Sequence, residues 1–392
     1  MMVKSIKCIL VAVFSLFSAL FFTSVFAQEK QEAHVAKEKT EKKTFDANEV
    51  IFGHVLDAHE FHFLSYKDSE GKQHHATIPL PVIVYSKEKG FDVFMSSKFE
   101  HGEQTYNGYG LLTDEKIVED KLDPKKYTAG QIVAINSNGE IDNNVKIYDV
   151  SLTRNVVQMF IALALLVWIM LYMAKKYRGG QGITTAPKGV QNLIEPVITF
   201  VRDEVAKPNL GTRYKKYFPY LLTVFFFILI NNLVGLIPGS ANVTGNIAFT
   251  LVLALISFVI IMLSTNKHYW GHIFNPPGIP LGVKFILIPV EILGVFTKPF
   301  ALMIRLFANM IAGHIIIICL ISLIFIFGAL NTYIGWGFSP LSIAFVIFIY
   351  LIELLVAFLQ AYIFTNLAAV FIGQAMEGSH HDADGHEDAV II

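Results

Sequence analysis

A strongly apolar run in the second half of the chain contains a few side chains that carry charge or move protons. Between positions 285 and 330 these side chains are Glu291, Lys298, Arg305 and His314. An ionised arginine at the centre of a bilayer costs about 2.5–3.5 kcal/mol on an insertion scale. Such a residue is therefore expected to face a polar cavity, pair with a partner or mark an ion path.

The residue types comprise one permanent cation and several groups that exchange protons. Arginine stays protonated inside proteins, whereas histidine and glutamate titrate near neutral pH when burial shifts them. Glu353 is the only charged residue in a second apolar run, 341–373. The combination of Arg305 with His314, Glu353 and Glu291 predicts proton movement. A static buried pair of Glu353 with His314 and a plain salt bridge of Arg305 remain alternatives.

The spacing of these residues predicts which of them share a helix face. Lys284, Glu291, Lys298 and Arg305 recur every seven residues, so they fall near one stripe of a helix. Asn309 continues the stripe one turn beyond Arg305, whereas His314 lies about 14 Å further along on another face. Glu353 and Gln360 are also seven apart. The ordinary alternative for the two lysines is that they extend to the cytoplasmic surface.

The lengths of the two apolar runs predict long, tilted helices. As helices, 285–330 and 341–373 would measure roughly 70 and 50 Å, whereas the hydrocarbon core is about 30 Å thick. Neither run contains a good turn sequence. We therefore predict two tilted helices joined by residues 331–340.

Three further segments, 156–174, 217–239 and 246–264, are apolar enough to span, which gives about five membrane helices in total. The loop 175–216 is rich in lysine and arginine, which predicts a cytoplasmic location. Apolar residues at helical spacing over 190–205 predict an amphipathic helix on the membrane surface, bent at Pro196.

The amino-terminal part divides into segments of different composition. Residues 1–27 have the pattern of a secretory signal peptide that ends in Ala27, with a retained anchor helix as the alternative. Residues 28–44 are a charged linker predicted to be disordered. Short β-branched runs separated by turn residues predict a β-rich exported domain over 45–150. A membrane domain over 151–375 and a cytoplasmic tail over 376–392 follow, in an α-helical polytopic protein of the inner (plasma) membrane.

Composition narrows the function classes. The chain is 54% hydrophobic and 16% charged, which is typical of a polytopic membrane protein. No basic patch predicts nucleic-acid binding, and neither the cysteines nor the histidines have a spacing diagnostic of a metal site, so no metal or cofactor is expected. A secondary transporter would predict an internal repeat, and a membrane anchor for the exported domain would leave Arg305 without a role.

The string "MIRLFANMIAGH", residues 303–314, resembles subunit a of the rotary F-type ATP synthases, whose hallmark is R-L-F-x-N-x-x-A-G-(E/H). The likeness includes Glu291, "TKP" at 297–299 and "LQAYIF" at 359–364. It covers about 155–375, with a weaker match at 51–63. An exported β-rich domain as large as 45–150 is not usual in that family.

The resemblance implies a proton-channel stator subunit that is not itself an enzyme. Its expected partners are the ring of c subunits, the b-subunit stalk, the remaining synthase subunits and the lipid bilayer. Arg305 matches the arginine that faces the c-ring, Asn309 the asparagine beside it, and Gln360 the glutamine that faces the arginine.

The resemblance further implies two offset half-channels. His314 and Glu353 match positions of the exported-side half-channel, where some family members have the two residue types the other way round. Glu291 matches an acidic residue of the cytoplasmic half-channel. Protons would then load and unload the c-ring carboxylates, which couples proton flow to rotation and ATP synthesis.

Overall fold

A computed structural model describes residues 57–376 except 68–72, 121, 124–125, 137–138, 144, 183, 238 and 276–278. The predicted signal peptide, the charged linker, residues 45–56 and nearly all of the predicted tail lie outside the described residues.

The amino-terminal part contains short antiparallel strands. Seven strands are described: β1 (Glu60–Lys67), β2 (Gln73–Pro79), β3 (Pro81–Ser86), β4 (Gly90–Met95), β5 (Tyr109–Leu111), β6 (Ile132–Ala134) and β7 (Ile147–Asp149). They pair as β1–β2, as β4–β3–β7 and as β5–β6. A short helix, α1 (Asp114–Glu119), begins after Thr113, whose side chain accepts a hydrogen bond from the backbone N–H of Lys116. The predicted β-rich character is confirmed.

Alternation along β3 builds the core of this part. Val82 and Val84 are completely buried, whereas Ile83 between them is half-buried. Phe94 of β4 and Phe99 pack edge to face against each other on the same side, with ring centroids 5.3 Å apart. One face of the β4–β3–β7 sheet therefore covers a small apolar core.

From residue 154 to residue 376 the described chain is mainly helical. The longer helices are α2 (Arg154–Arg178), α3 (Val190–Phe200), α4 (Tyr214–Gly235), α5 (Ile247–Leu263), α6 (Lys267–Phe274), α7 (Leu281–Leu330) and α8 (Thr332–Met376). Four described helical segments are long and apolar enough to cross a membrane, namely Arg154–Arg178, Val190–Gly235, Gly282–Leu330 and Thr332–Met376. The apolar helix α5 is shorter. The predicted class, a polytopic helical membrane protein, is confirmed.

The amphipathic segment is helical and continues from α3 through a π-helical turn, Val201–Ala206. Val201 and Val205 are completely buried in the helical core, whereas Leu193 is 72% exposed. The apolar stripe therefore packs partly on neighbouring helices and not only on lipid. Its location at the membrane surface stays a prediction.

The two predicted long helices are confirmed, with 50 residues in α7 and 45 in α8. At 1.5 Å per residue, α7 is about 75 Å long. The predicted connection over 331–340 was wrong in extent, because only Asn331 lies between the helices. Its side chain accepts a hydrogen bond from the Tyr333 N–H at 2.9 Å, which begins α8 directly. Pro340 lies inside α8.

A close approach of two glycines accompanies this abrupt reversal. A Cβ atom at Gly335 would lie 2.6 Å from the Gly328 Cα, whereas a Cβ at Gly337 would meet nothing within 4 Å. Gly335→Ala is therefore expected to force the hairpin helices apart and to cost roughly 1–3 kcal/mol of stability.

The thermal unfolding midpoint of the detergent-solubilised chain measures this effect. Gly337→Ala, two residues away on the same helix, is the matched control and should leave the midpoint unchanged or raise it slightly, because alanine favours a helix more than glycine does. An equal midpoint for both variants would contradict the packing described.

Candidate functional site

The polar centre of the helical part is formed by one side chain from each long helix. His314 of α7 and Glu353 of α8 lie with Nδ1 and Oε1 3.9 Å apart, and their side chains are only 20% and 11% exposed. The ring Nε2–H of His314 donates to the Gly235 carbonyl at the end of α4, at 3.1 Å. In the neutral ring this contact leaves Nδ1, the nitrogen nearest the carboxyl group, without a proton.

This pair keeps unused hydrogen-bonding capacity. Nδ1 of His314 and Oε2 of Glu353 are buried and have no hydrogen-bond partner in the described part of the chain. A separation of 3.9 Å is too long for a direct hydrogen bond, and one water molecule can bridge it. Two proton-exchanging groups that face each other with free positions can pass a proton between them.

Gly313 provides the space that Glu353 occupies. A Cβ atom at position 313 would overlap the Glu353 carboxyl group and lie 2.7 Å from its Cδ. A side chain at position 313 would therefore clash with Glu353, which explains sterically why glycine precedes His314. The sequence alone did not show this.

Gly313→Ala is expected to displace the Glu353 carboxyl group from His314. A misplacement of about 1 Å can cost up to a hundredfold in a positioned reaction, so we expect proton flux to fall by about tenfold or more. Flux into membrane vesicles, followed with a pH-sensitive dye, measures it. Gly282→Ala at the start of α7 is the control, because a Cβ there meets nothing within 4 Å. Equal flux in both variants would contradict the steric role.

Arg305 lies half-buried on α7, nine residues before His314. Within the described residues no carboxylate lies within 4 Å of its guanidinium group, and no hydrogen bond from it is present. The alternative of a plain salt bridge inside the described chain is therefore not supported. A permanent cation in an apolar helix requires an anionic or polar partner.

Asn309 and Gln360, two of the predicted site residues, contact each other. The Asn309 Nδ2 donates to Gln360 Oε1 at 2.9 Å, and Gln360 is 2% exposed. This bond joins α7 to α8 one helical turn beyond Arg305. The resemblance implied that Gln360 faces the arginine, whereas its hydrogen bond in the structure is to Asn309.

Glu291 is exposed on α7. Along the helix it precedes Arg305, whereas His314 follows Arg305. Its charge acts on Tyr269 of α6, whose pKa is raised by burial and then by Glu291. Along the helix Glu291 is about 21 Å before Arg305, and His314 is about 14 Å after it. The titratable site residues therefore lie at two separate levels along α7, with Glu291 before Arg305 and His314, beside Glu353, after it.

The two lysines of the stripe are bound to polar groups of the protein. Lys298 donates to Gln374 Oε1 near the end of α8 at 3.1 Å and lies 4.9 Å from the Phe371 ring centre. Lys284 donates to Asn275 Oδ1 at 2.6 Å. These contacts give both lysines polar partners within the described chain, and their extension to the cytoplasmic surface stays a prediction.

Polar residues that sequence analysis did not select position the helices around the site. Asn242, in the connection between α4 and α5, donates to the Met310 carbonyl at 3.3 Å. The Gln158 side-chain carbonyl accepts from the Ala241 N–H at 2.6 Å, so α2 is joined to the same connection. A single glutamine within an otherwise apolar predicted span was the signal available for Gln158.

Comparison with known proteins gives two family matches. Residues 156–373 match the model described as ATP synthase A chain, and residues 50–150 match a separate model described as a domain of unknown function. The first match contains Glu291, Arg305, His314 and Glu353.

Similar curated relatives come from several bacteria. ATP synthase subunit a of Chloroherpeton thalassium is 48% identical over 246 residues, which is 62% of this chain and 72% of the relative. ATP synthase subunit a 2 of Chlorobaculum tepidum is 51% identical over 249 residues, 61% of this chain and 67% of the relative. The family match covers more than half of the chain, and the identities are high. The chain belongs to the ATP synthase A chain family.

Proposed function

We propose that this chain is the proton-channel stator subunit of an F-type ATP synthase. One observation carries the proposal: Arg305 is half-buried in an apolar helix, has no ion-pair partner among the described residues, and lies between two separated groups of titratable residues. The names of the similar relatives supply the complex in which such a subunit works.

The partner that Arg305 requires is a carboxylate on another subunit. Each subunit of the c-ring would bring one carboxyl group past Arg305 during rotation. A neutral carboxyl group tolerates lipid, whereas the ionised form needs a cation, so Arg305 stabilises the ionised form and favours proton release. The b-subunit stalk and the remaining synthase subunits are the further expected partners. ATP chemistry would take place on the soluble ATPase part of the complex.

The two levels of titratable residues, one before and one after Arg305 along α7, would form two half-channels. His314 and Glu353 form the exported-side access, close to the connection between α4 and α5, and Glu291 lies in the cytoplasmic access near α6. Arg305 repels protons on the direct line between them. Protons therefore reach the other side only by travelling on the rotating ring. The hydrogen bond between Asn309 and Gln360 holds together α7 and α8, the two helices that face this ring.

The proposed function can be distinguished from a secondary transporter and from a membrane anchor by the proteins that assemble with this chain. Native electrophoresis of solubilised membranes should show the chain migrating with an oligomeric ring and a soluble ATPase. Migration alone would favour a secondary transporter, and migration with unrelated exported proteins would favour a membrane anchor. Either result would overturn the proposed function.

The proposed orientation places the β-rich part outside and the carboxyl terminus in the cytoplasm of an inner-membrane protein. In a background with Cys8 and Cys319 replaced by serine, His380→Cys should react with an impermeant maleimide only after the membrane is opened. Glu119→Cys, exposed on α1, should react from outside in sealed spheroplasts. Labelling of position 380 from outside would contradict this topology.

A further inference from the structure

The β4–β3–β7 sheet is apolar on both faces, although only one face covers the core. Ile83, between the buried Val82 and Val84, points to the other side with Val93 and Val150, which lie opposite it on the neighbouring strands. Val93 is 67% and Val150 is 64% exposed. An antiparallel sheet with one solvated face normally has polar residues there.

The next row of this face is aromatic. Tyr85 lies opposite Phe91 and Tyr148, with ring centroids 4.7 and 6.3 Å away. Phe91 is 72% and Tyr148 is 43% exposed. We call this surface the outer face, and it is formed by Ile83, Tyr85, Phe91, Val93, Tyr148 and Val150. None of the described elements covers these exposed side chains, and contiguous apolar patches of this kind mark interaction surfaces.

The outer face is continuous with the start of the first membrane helix. The pairing of β7 with β3 extends beyond β7, because the Leu152 N–H donates to the Pro81 carbonyl at 3.3 Å. The first residue of α2, Arg154, follows two positions later and donates its N–H to the Ala58 carbonyl. At about 3.3 Å per strand residue, the aromatic row lies within roughly 20 Å of the point where α2 begins.

Positive charge at the end of the outer face away from α2 favours an anionic lipid surface as its partner. Lys87 and Lys146 are exposed and continue the alternation beyond the aromatic row, and Lys146 Nζ lies 5.2 Å from the Tyr148 ring centre. The turn also carries Glu88. Aliphatic and tyrosine side chains beside lysines are the composition that enters the headgroup region of anionic membranes.

We propose that the outer face docks on the surface of the bilayer beside α2, with its lysines on anionic phospholipid headgroups. A protein partner would use directional hydrogen bonds, about one per 100–200 Å² of interface. The six side chains of the outer face offer only two tyrosine hydroxyl groups for this purpose. A lipid surface requires no such pairing, and the covalent connection to α2 keeps the sheet next to it.

Fluorescence quenching by lipids tests this docking in the full chain. Val93→Cys, in the background without Cys8 and Cys319, is labelled with an environment-sensitive dye and reconstituted in phosphatidylethanolamine–phosphatidylglycerol vesicles. Nitroxide-labelled phospholipid should quench the dye several-fold more than at the control position. The control is Val118→Cys on α1, which has the same residue type and is 77% exposed.

Two outcomes would overturn the proposal. Equal lipid quenching and equal quenching by aqueous iodide at both positions would show a free surface. Protection of position 93 from iodide without lipid quenching would show that protein covers the outer face, either a second copy of the chain or the segment before residue 57. Both positions are exposed, so neither replacement disturbs the core.

Discussion

Membrane vesicles that carry Arg305→Ala or Arg305→Lys are expected to lose ATP-driven proton pumping while the synthase complex remains assembled. Arginine keeps its charge in an apolar environment and presents a forked set of donors to a carboxylate. Lysine is a point charge that loses its proton readily when buried. Because no described residue pairs with Arg305, its removal breaks no internal salt bridge, and the defect should be in proton transfer and not in folding.

The two Arg305 variants should differ in passive proton leak. Alanine removes the positive barrier between the His314–Glu353 level and the Glu291 level, so the leak should rise, whereas lysine retains part of the barrier. Dye quenching in vesicles driven by ATP measures pumping, and decay of an imposed pH gradient measures leak. Arg213→Ala, an exposed arginine before α4, is the control. Near-normal pumping by assembled Arg305→Ala complexes would refute the mechanism.

The exchange of His314 and Glu353 should show that the two side chains act as one unit. His314→Glu alone brings two carboxyl groups together, and Glu353→His alone brings two imidazoles together, so each single exchange should lose most proton flux. The double exchange restores one acid and one imidazole. Residues in contact couple by about 0.5–3 kcal/mol, so flux in the double variant should exceed the independent expectation by about twofold to a hundredfold.

Recovery in the double variant should be incomplete for a structural reason. Gly313 provides space for a carboxyl group that reaches from α8, and the imidazole at 353 would need more of that space. The matching control exchanges His101 with Glu60, an exposed pair 2.8 Å apart in the β-rich part, and should leave flux unchanged. Equal losses in the single and double exchanges at 314 and 353 would argue against a shared relay.

Much of the helical architecture could be predicted because membrane insertion depends on local composition. The length of each apolar run follows from the order of residues alone, and it predicted two long helices. The cost of a charge within such a run also follows from the sequence, and it marked Arg305 as an unusual residue. The connection over 331–340 was predicted too long because it was assigned as the whole stretch between the two apolar runs. Packing of Gly335 on Gly328 instead permits a reversal at Asn331 alone.

The sequence by itself determined the membrane class, the residue types able to move protons and, through the string around Arg305, the family resemblance. Only the tertiary structure decided which of these residues meet: His314 with Glu353, and Asn309 with Gln360. It also decided that Gly313 makes room for a carboxyl group and that β7 completes the outer face. The physical reason is that such contacts depend on the register between distant segments. One residue of shift turns a helical side chain by about 100° and moves a strand side chain to the opposite face.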